Sequence, residues 1–124
     1  MRVFKTKWFA RFTRSEDIED ECLITAARNA ESGLIDAVLG GGLIKQRIPR
    51  RGAGKSGGYR SIIACCIGDR YFFVYCFGKN DKDNLTAKET EEYKKFAGKI
   101  LALTDSDISK AIQEGALTEV EYEK

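Results

Sequence analysis

Three apolar segments in close succession constrain the fold of this chain more than any other feature. The segments LIKQRI, YRSIIACCI and RYFFVYCFG are rich in β-branched and aromatic residues, which is typical of strands. The last two are joined by GDR, and Gly68-Asp69 fits a tight turn between antiparallel strands. These three segments therefore predict a mainly antiparallel sheet in the middle of the chain.

Helical patterns surround these strands. RVFKT predicts a short first strand, and Ser15 or Asp17 is the candidate cap of a helix that ends near Gly33. Apolar residues at helical spacing define two N-terminal helices: Trp8, Phe9 and Phe12 in the first, and Ile18, Cys22, Ala26 and Ala30 in the second. We expect both helices to cover one face of the sheet. LIDAVLGGGL, with its three consecutive glycines, predicts a loop.

Two further helices are predicted after the last strand. Thr86 and Glu89 form a candidate capping box, and Thr104 and Asp107 can open a final helix that stops at Gly115. Residues 116–124 are expected to form a frayed tail. The sequence therefore predicts one α+β domain over residues 1–124, with a sheet of about four strands, two N-terminal helices and C-terminal helices.

Composition excludes several classes of protein. No run of about 18 apolar residues is present, and the N-terminus lacks the apolar centre of a secretion signal, so we expect a cytoplasmic protein without a membrane span. The four cysteines include no CxxC pair and the chain has no histidine, so we expect no metal site and no cofactor. Cys65, Cys66 and Cys76 lie in apolar runs and are expected to be reduced and buried.

A basic, glycine-rich block is the feature that points to function. Between Gly40 and Arg60 the chain has six cations and no acid: Lys45, Arg47, Arg50, Arg51, Lys55 and Arg60. GAGKS within it does not complete a phosphate-binding P-loop, because Pro49 stands where the first glycine is needed and a strand pattern follows. The block indicates either contact with nucleic acid or an ordinary solvated surface.

Strand alternation predicts which side chains point the same way. Lys45 and Arg47 share one face of their strand, opposite Ile44, Gln46 and Ile48, which we expect to face the core. Arg60 and Ile62 share a face of the next strand, and Tyr75, Phe77 and Lys79 share a face of the last. If these faces coincide, cations and aromatic rings form one patch suited to RNA phosphates and unpaired bases.

Such a patch can also be catalytic, because RNA carries its own nucleophile in the 2′-hydroxyl. The reaction needs a base, an acid and positive charge at the phosphorane. With no histidine in the chain, a lysine would have to serve as base. A lysine pKa of about 10.4 falls only where close cations disfavour the charged form, as in a packed cationic cluster.

The sequence resembles the RelE/HigB branch of the RelE/ParE toxin superfamily. The resemblance rests on the segments GLIKQR, GKSGGYR and FGKN within LGGGLIKQRIPRRGAGKSGGYRSIIACCIGDRYFFVYCFGKND, and it extends over nearly the whole chain. It implies a RelE-like fold with a curved, mainly antiparallel sheet. It also implies a ribosome-dependent endoribonuclease that enters the ribosomal A site and cleaves messenger RNA by 2′-hydroxyl attack without metal.

The resemblance also implies roles for individual residues. Arg60 and Lys79 would hold the phosphate and stabilise transition-state charge, with Lys45 or Lys55 as the general base. Phe77 or Tyr75 would stack a base, and the remaining cations would contact RNA: Arg47, Arg50 and Arg51. The chain has no histidine and no C-terminal tyrosine with a clear role as the acid, so the proton donor stays unassigned.

The resemblance further implies a cognate antitoxin, often of the helix-turn-helix type, through which any contact with DNA would be made. One alternative is a gyrase inhibitor of the ParE type, which shares the fold but has no need of the basic set. A non-catalytic RNA-binding module is the other alternative.

Overall fold

The chain folds around one mixed β-sheet with helices on both faces in a computed structural model that describes residues 1–48, 58–78 and 84–122. The elements are β1 (Arg2–Thr6), α1 (Lys7–Ser15), α2 (Asp20–Glu31), β2 (Ala37–Gly40), β3 (Leu43–Ile48), β4 (Tyr59–Cys66), β5 (Arg70–Gly78), α3 (Ala87–Leu101), α4 (Asp105–Gln113) and β6 (Leu117–Val120). The strand order in the sheet is β2-β3-β4-β5-β1-β6. The α+β class expected from the sequence is confirmed.

The three predicted central strands are confirmed, and each pairs antiparallel with the next one along the chain. β3 pairs with β4 from Leu43 opposite Ala64 to Ile48 opposite Tyr59. β4 and β5 form the expected hairpin, in which Gly68 adopts a φ of 83°. β1, in contrast, pairs with β5 in parallel, so the sheet is mixed.

Two short strands at the sheet edges correct the sequence-based prediction. β2 lies inside the segment expected to be a loop and pairs with β3. β6 lies in the segment expected to fray and pairs antiparallel with β1, from Val3 opposite Val120 to Thr6 opposite Leu117. Leu117 and Val120 are buried, which fixes this strand to the sheet. The described residues therefore form six strands rather than about four.

Two apolar cores lie on opposite faces of the sheet. The first packs α1 and α2 on the sheet, with Phe9, Leu23, Ile63 and Phe73 fully buried. The second packs α3 and α4 on the other face, with members that include Phe4, Leu43, Ile62, Phe72 and Ile100. Because both faces are covered, β4 and β5 are apolar almost throughout and show little alternation, whereas β3 includes Lys45, Gln46 and Arg47.

A β-bulge in β5 decides which side chains of this strand share a face. Ile62 pairs with Tyr75 but Ile63 pairs with Phe73, so Val74 is an extra residue in β5. Val74 and Tyr75 consequently both contact the α3/α4 core, although they are neighbours in sequence. Without the bulge, Tyr75 would share a face with Phe73 instead.

The helix boundaries follow the predicted caps in the C-terminal half of the chain. Capping boxes at Thr86 and Thr104 open α3 and α4, as expected. The predicted cap of α2 is wrong, because Ser15 ends α1 and Asp17 lies in the turn with a φ of 54°. Glu19 precedes α2 without a side-chain cap. No helix in the described parts of the chain has the length and apolarity to cross a bilayer.

All four cysteines are free thiols. Cys65 and Cys76 are buried as expected, and burial raises the pKa of the Cys65 thiol to about 11. The expectation for Cys66 is wrong, because this residue is exposed at the end of β4, where the strand leaves the core.

Gly42 in the β2–β3 turn and Gly98 in α3 provide a matched pair of substitutions, which tests whether the turn requires a glycine at position 42. Gly42 has a φ of +84°, and an added Cβ would lie 2.5 Å from Leu101 Cδ1. We expect Gly42→Ala to lower the free energy of unfolding by about 1–2 kcal/mol, because an L side chain is strained at this φ. Gly98 is helical with no atom near its Cβ position, so Gly98→Ala should raise stability by up to about 1 kcal/mol. Urea denaturation measures both, and equal effects would contradict this account.

Candidate nucleic-acid interface

The predicted arginines of β3 and β4 form a row across the sheet. Arg47 pairs with Arg60, and Arg60 pairs in turn with Phe77 of β5. Directly paired residues point to the same face, with Cβ atoms about 5 Å apart. Two guanidinium groups therefore arise side by side on the face that carries α3 and α4.

A second row lies two residues further along the strands. Lys45 pairs with Ile62, and Ile62 pairs with Tyr75. The five predicted residues that the structure describes thus converge on one face: Lys45, Arg47, Arg60, Tyr75 and Phe77. The other four lie outside the described residues: Arg50, Arg51, Lys55 and Lys79.

The described strand ends show where these other cations join the sheet. Ile48 pairs with Tyr59, and Tyr59 pairs with Gly78, so the three form one row beside Arg47 and Arg60. Residues 49–57 connect the first two members of this row, and Lys79 directly follows the third in sequence. The two segments that carry these cations therefore adjoin, in sequence, the row next to Arg47 and Arg60.

The cations on this face are not neutralised by carboxylates in the described part of the chain. Lys45, Arg47 and Arg60 are each partly exposed, and no ion pair between described residues includes any of them. The Lys45 ammonium donates a hydrogen bond to Asn84 Oδ1 at 3.4 Å. Because these charges are close together and no described carboxylate pairs with them, the described part of the face is suited to polyanions.

Hydrogen bonds fix β3 from its other side. The buried Gln46 side chain donates to the carbonyls of Ala26 and Leu34, at 3.0 and 2.8 Å, and accepts from the backbone N–H of Asp36 at 3.0 Å. The Asp36 carboxylate accepts from the backbone N–H of Arg47 at 2.5 Å. These bonds hold the strand that presents Lys45 and Arg47.

Asn84 and Asp36 contact the site although no sequence pattern pointed to them. Asn84 stands shortly before the capping residue Thr86, and Asp36 shortly before β2. Each position is typical of a turn, so neither residue gave a signal of proximity to the cations. Only the pairing of distant segments brings them to β3.

The aromatic side of the face is built around Tyr75. Its ring lies 4.7 Å from the Trp8 ring and 5.4 Å from the Tyr93 ring, between centroids. Tyr93 is partly buried, and this burial raises the pKa of its hydroxyl to about 12. Tyr93 therefore stays neutral at pH 7 and adds no negative charge beside the cations.

Phe77 does not fit its expected role in base stacking. The residue is only 3% exposed and belongs to the α3/α4 core, so its ring faces are covered. Its ring lies 6.0 Å from the Tyr75 ring, which it supports. Tyr75 is partly exposed and remains the aromatic candidate for contact with a base.

An apolar cavity adjoins Tyr75 on the side away from Lys45. Its volume is about 730 Å³, and Trp8, Tyr93, Phe96 and Leu103 are among the lining residues. Lys7 and Lys99 also line it. The cationic face thus continues into a surface that combines aromatic rings with further cations.

Comparison with known proteins identifies the family of the chain. The family model described as "RelE toxin of RelE / RelB toxin-antitoxin system" matches residues 1–120, which is nearly the entire chain. A search of curated proteins finds no match. On the extent of the family match, the chain belongs to the RelE toxin family of toxin–antitoxin systems.

Proposed function

We propose that this RelE-family toxin is a ribosome-dependent endoribonuclease that cleaves messenger RNA in the ribosomal A site and so inhibits translation. The observation that carries the proposal is the row of Arg47 and Arg60 beside Lys45, with no carboxylate partner among the described residues. A gyrase inhibitor, which binds protein rather than RNA, would not require such a row.

The proposed reaction uses the RNA's own nucleophile. The 2′-oxygen forms a bond to the adjacent phosphorus, the bond from phosphorus to the 5′-oxygen breaks, and the products are a 2′,3′-cyclic phosphate and a 5′-hydroxyl. The proton leaves the 2′-hydroxyl for a base, and the leaving 5′-oxygen gains a proton. The phosphorane between these steps carries added negative charge, which nearby cations stabilise.

The described side chains take three roles in this proposal. Arg60, on the central strand of the face, contacts the scissile phosphate, and Arg47 contacts a neighbouring phosphate. Lys45 is the candidate base on the sheet, and Tyr75 offers its ring to an unpaired base. Four further roles remain proposals from the sequence: Lys55 as the alternative base, Lys79 at the phosphate, and Arg50 and Arg51 along the RNA.

The proposed partners follow from the family and from the reaction. A cognate antitoxin holds the toxin inactive, and we propose a helix-turn-helix protein through which the pair reaches DNA. The ribosome presents the unpaired codon, so the site of action is the cytoplasm. Neither a metal nor a cofactor has a role in the proposed mechanism.

Inducible expression followed by mapping of RNA 5′ ends tests the proposal. We expect new 5′-hydroxyl ends within translated reading frames soon after induction, and none in the same transcript when its start codon is removed. Cuts that persist without translation would contradict ribosome dependence. Arrest of growth without new RNA ends, together with inhibition of gyrase supercoiling in a purified assay, would overturn the nuclease proposal in favour of the ParE-type alternative.

A further inference from the structure

We propose that the solvent face of α1 is a second RNA-contact surface, which binds phosphates of the strand that flanks the segment lying on the sheet. This inference rests on the proposed function, because it extends the path of the same RNA. The surface consists of Lys7, Arg11 and Arg14, which we call the α1 stripe.

The first observation is a contrast among the N-terminal cations. Residues 1–14 include five cations and no acid. The two cations of β1 are neutralised: Arg2 donates to Glu119 at 3.0 Å, and Lys5 donates to Asp20 at 2.9 Å. The three of the α1 stripe are exposed and take part in no ion pair within residues 1–48, 58–78 and 84–122.

The second observation is the spacing of the α1 stripe. Its residues stand at positions i, i+4 and i+7 of one helix, so they share a face. Seven residues of helix span about 10 Å, at 1.5 Å per residue. This length is about three steps of the roughly 3.4 Å rise of a helical nucleic-acid strand, which join about four consecutive phosphates.

The third observation is continuity with the cationic face of the sheet. β1 pairs with β5 only as far as Lys5 opposite Phe73, so on this side the remainder of β5 borders α1, while its other side stays paired with β4. Thr6 Oγ1 donates to the Val74 carbonyl at 3.3 Å, and the Trp8 ring contacts the Tyr75 ring. A strand that leaves the sheet at Tyr75 therefore meets Trp8 next, and then the α1 stripe.

The chemistry of the surface favours RNA over a protein partner. A helix that docks on protein usually offers apolar anchors, whereas the outward face of α1 offers cations. Trp8 beside them is 43% exposed, and cations interleaved with an aromatic ring are typical of single-stranded nucleic-acid sites. The acids that follow the helix, from Glu16 to Glu21, would repel RNA, so the path ends near Arg14.

Two charge-matched double variants test the α1 stripe. Arg11→Gln with Arg14→Gln removes two of its cations, while Lys95→Gln with Lys110→Gln removes two exposed cations of α3 and α4. The probes are labelled 2′-O-methyl RNAs, which lack the nucleophile: a trinucleotide that covers only the sheet face, and a dodecanucleotide. Fluorescence anisotropy over a range of salt concentrations gives the affinity, and circular dichroism confirms that each variant is folded.

We expect the Arg11/Arg14 variant to bind the dodecanucleotide roughly 25-fold more weakly at 0.1 M salt, since each phosphate contact contributes about 0.7 to the salt slope. The slope of log K against log salt should become less steep by about 1.4. Binding of the trinucleotide should not change, and the Lys95/Lys110 variant should match the wild type with both probes.

Three outcomes would overturn the inference. An equal loss of affinity for the dodecanucleotide in the two double variants would mean that binding depends only on the net charge of the protein. Unchanged dodecanucleotide binding, with reduced co-sedimentation of the Arg11/Arg14 variant with ribosomes, would assign the α1 stripe to structured ribosomal RNA. Both of these leave the proposed function intact. If the wild type binds neither probe at low salt, the sheet face is not an RNA site, and the proposed function falls with the inference.

Discussion

Replacing Arg60 with alanine is expected to slow RNA cleavage by about 10² to 10³-fold, with the fold retained. Arg60 lies between Arg47 and Phe77 in the cross-strand row, at the centre of the cationic face. It is partly exposed, and no ion pair between described residues includes it, so its truncation leaves no buried carboxylate unpaired. The loss should therefore appear in catalysis rather than in stability.

The comparison of Arg60→Ala with two further variants separates charge from geometry. Arg60→Lys keeps the positive charge but cannot grip phosphate with two parallel hydrogen bonds, so we expect intermediate activity. Arg28→Ala removes an exposed arginine from α2, on the opposite side of the sheet, and should cleave like the wild type. New RNA ends and colony survival after induction provide the readouts. Full toxicity of Arg60→Ala would exclude this residue from the reaction.

Local patterns were sufficient to predict the central elements of the fold. The strands β3, β4 and β5 are each at least six residues long and include β-branched or aromatic residues typical of strands, so their identity does not depend on a partner. Likewise Thr86 with Glu89 and Thr104 with Asp107 form capping boxes within four consecutive residues. Each of these strands and capping boxes is recognisable from residues within one short segment. The sequence alone is therefore sufficient to predict them.

The missed elements depend on partners that are distant in sequence. β2 and β6 have four residues each, too few to show a period. β6 is ordered by pairing with β1, more than a hundred residues earlier in the chain. The bulge at Val74 is likewise visible only in the register between β4 and β5. No local sequence pattern specifies the register between two strands. These two strands and the bulge are therefore seen only in the folded structure.

In the candidate site, too, local patterns predicted some features, whereas others depend on residues that are distant in sequence. Alternation predicted that Lys45 and Arg47 share a face of β3, and the pairing of β3 with β4 shows that Arg60 lies on the same face. Alternation gives the direction of a side chain but not what covers it. Phe77 points to the predicted face, yet it is buried in the α3/α4 core and cannot stack on a base.

Replacing Gln46 is expected to have the second large effect, which is a loss of stability. Alternation places it correctly between Ile44 and Ile48 on the inner face of β3, where a polar side chain is costly unless its hydrogen bonds are satisfied. It is 3% exposed and bonds to Ala26, Leu34 and Asp36. Gln46→Leu should lower the free energy of unfolding by about 3 kcal/mol, because two carbonyls and one N–H lose their partner. The urea midpoint should fall with an unchanged slope.

Gln46→Glu separates the lost hydrogen bonds from a change in packing, because it keeps the shape of the side chain. A carboxylate can still accept from Asp36, but it faces the carbonyls of Ala26 and Leu34 without a proton to donate. The folded state should therefore raise the pKa of the introduced carboxyl above its unfolded value of about 4.3. With that sign, the variant is least stable at pH 7 and recovers stability as the pH falls through the raised pKa toward 4, because the protonated group donates one bond again. Urea midpoints at pH 7 and pH 5, each relative to the wild type at the same pH, measure the recovery. The same deficit at both values would show that the carbonyls of Ala26 and Leu34 do not need this donor.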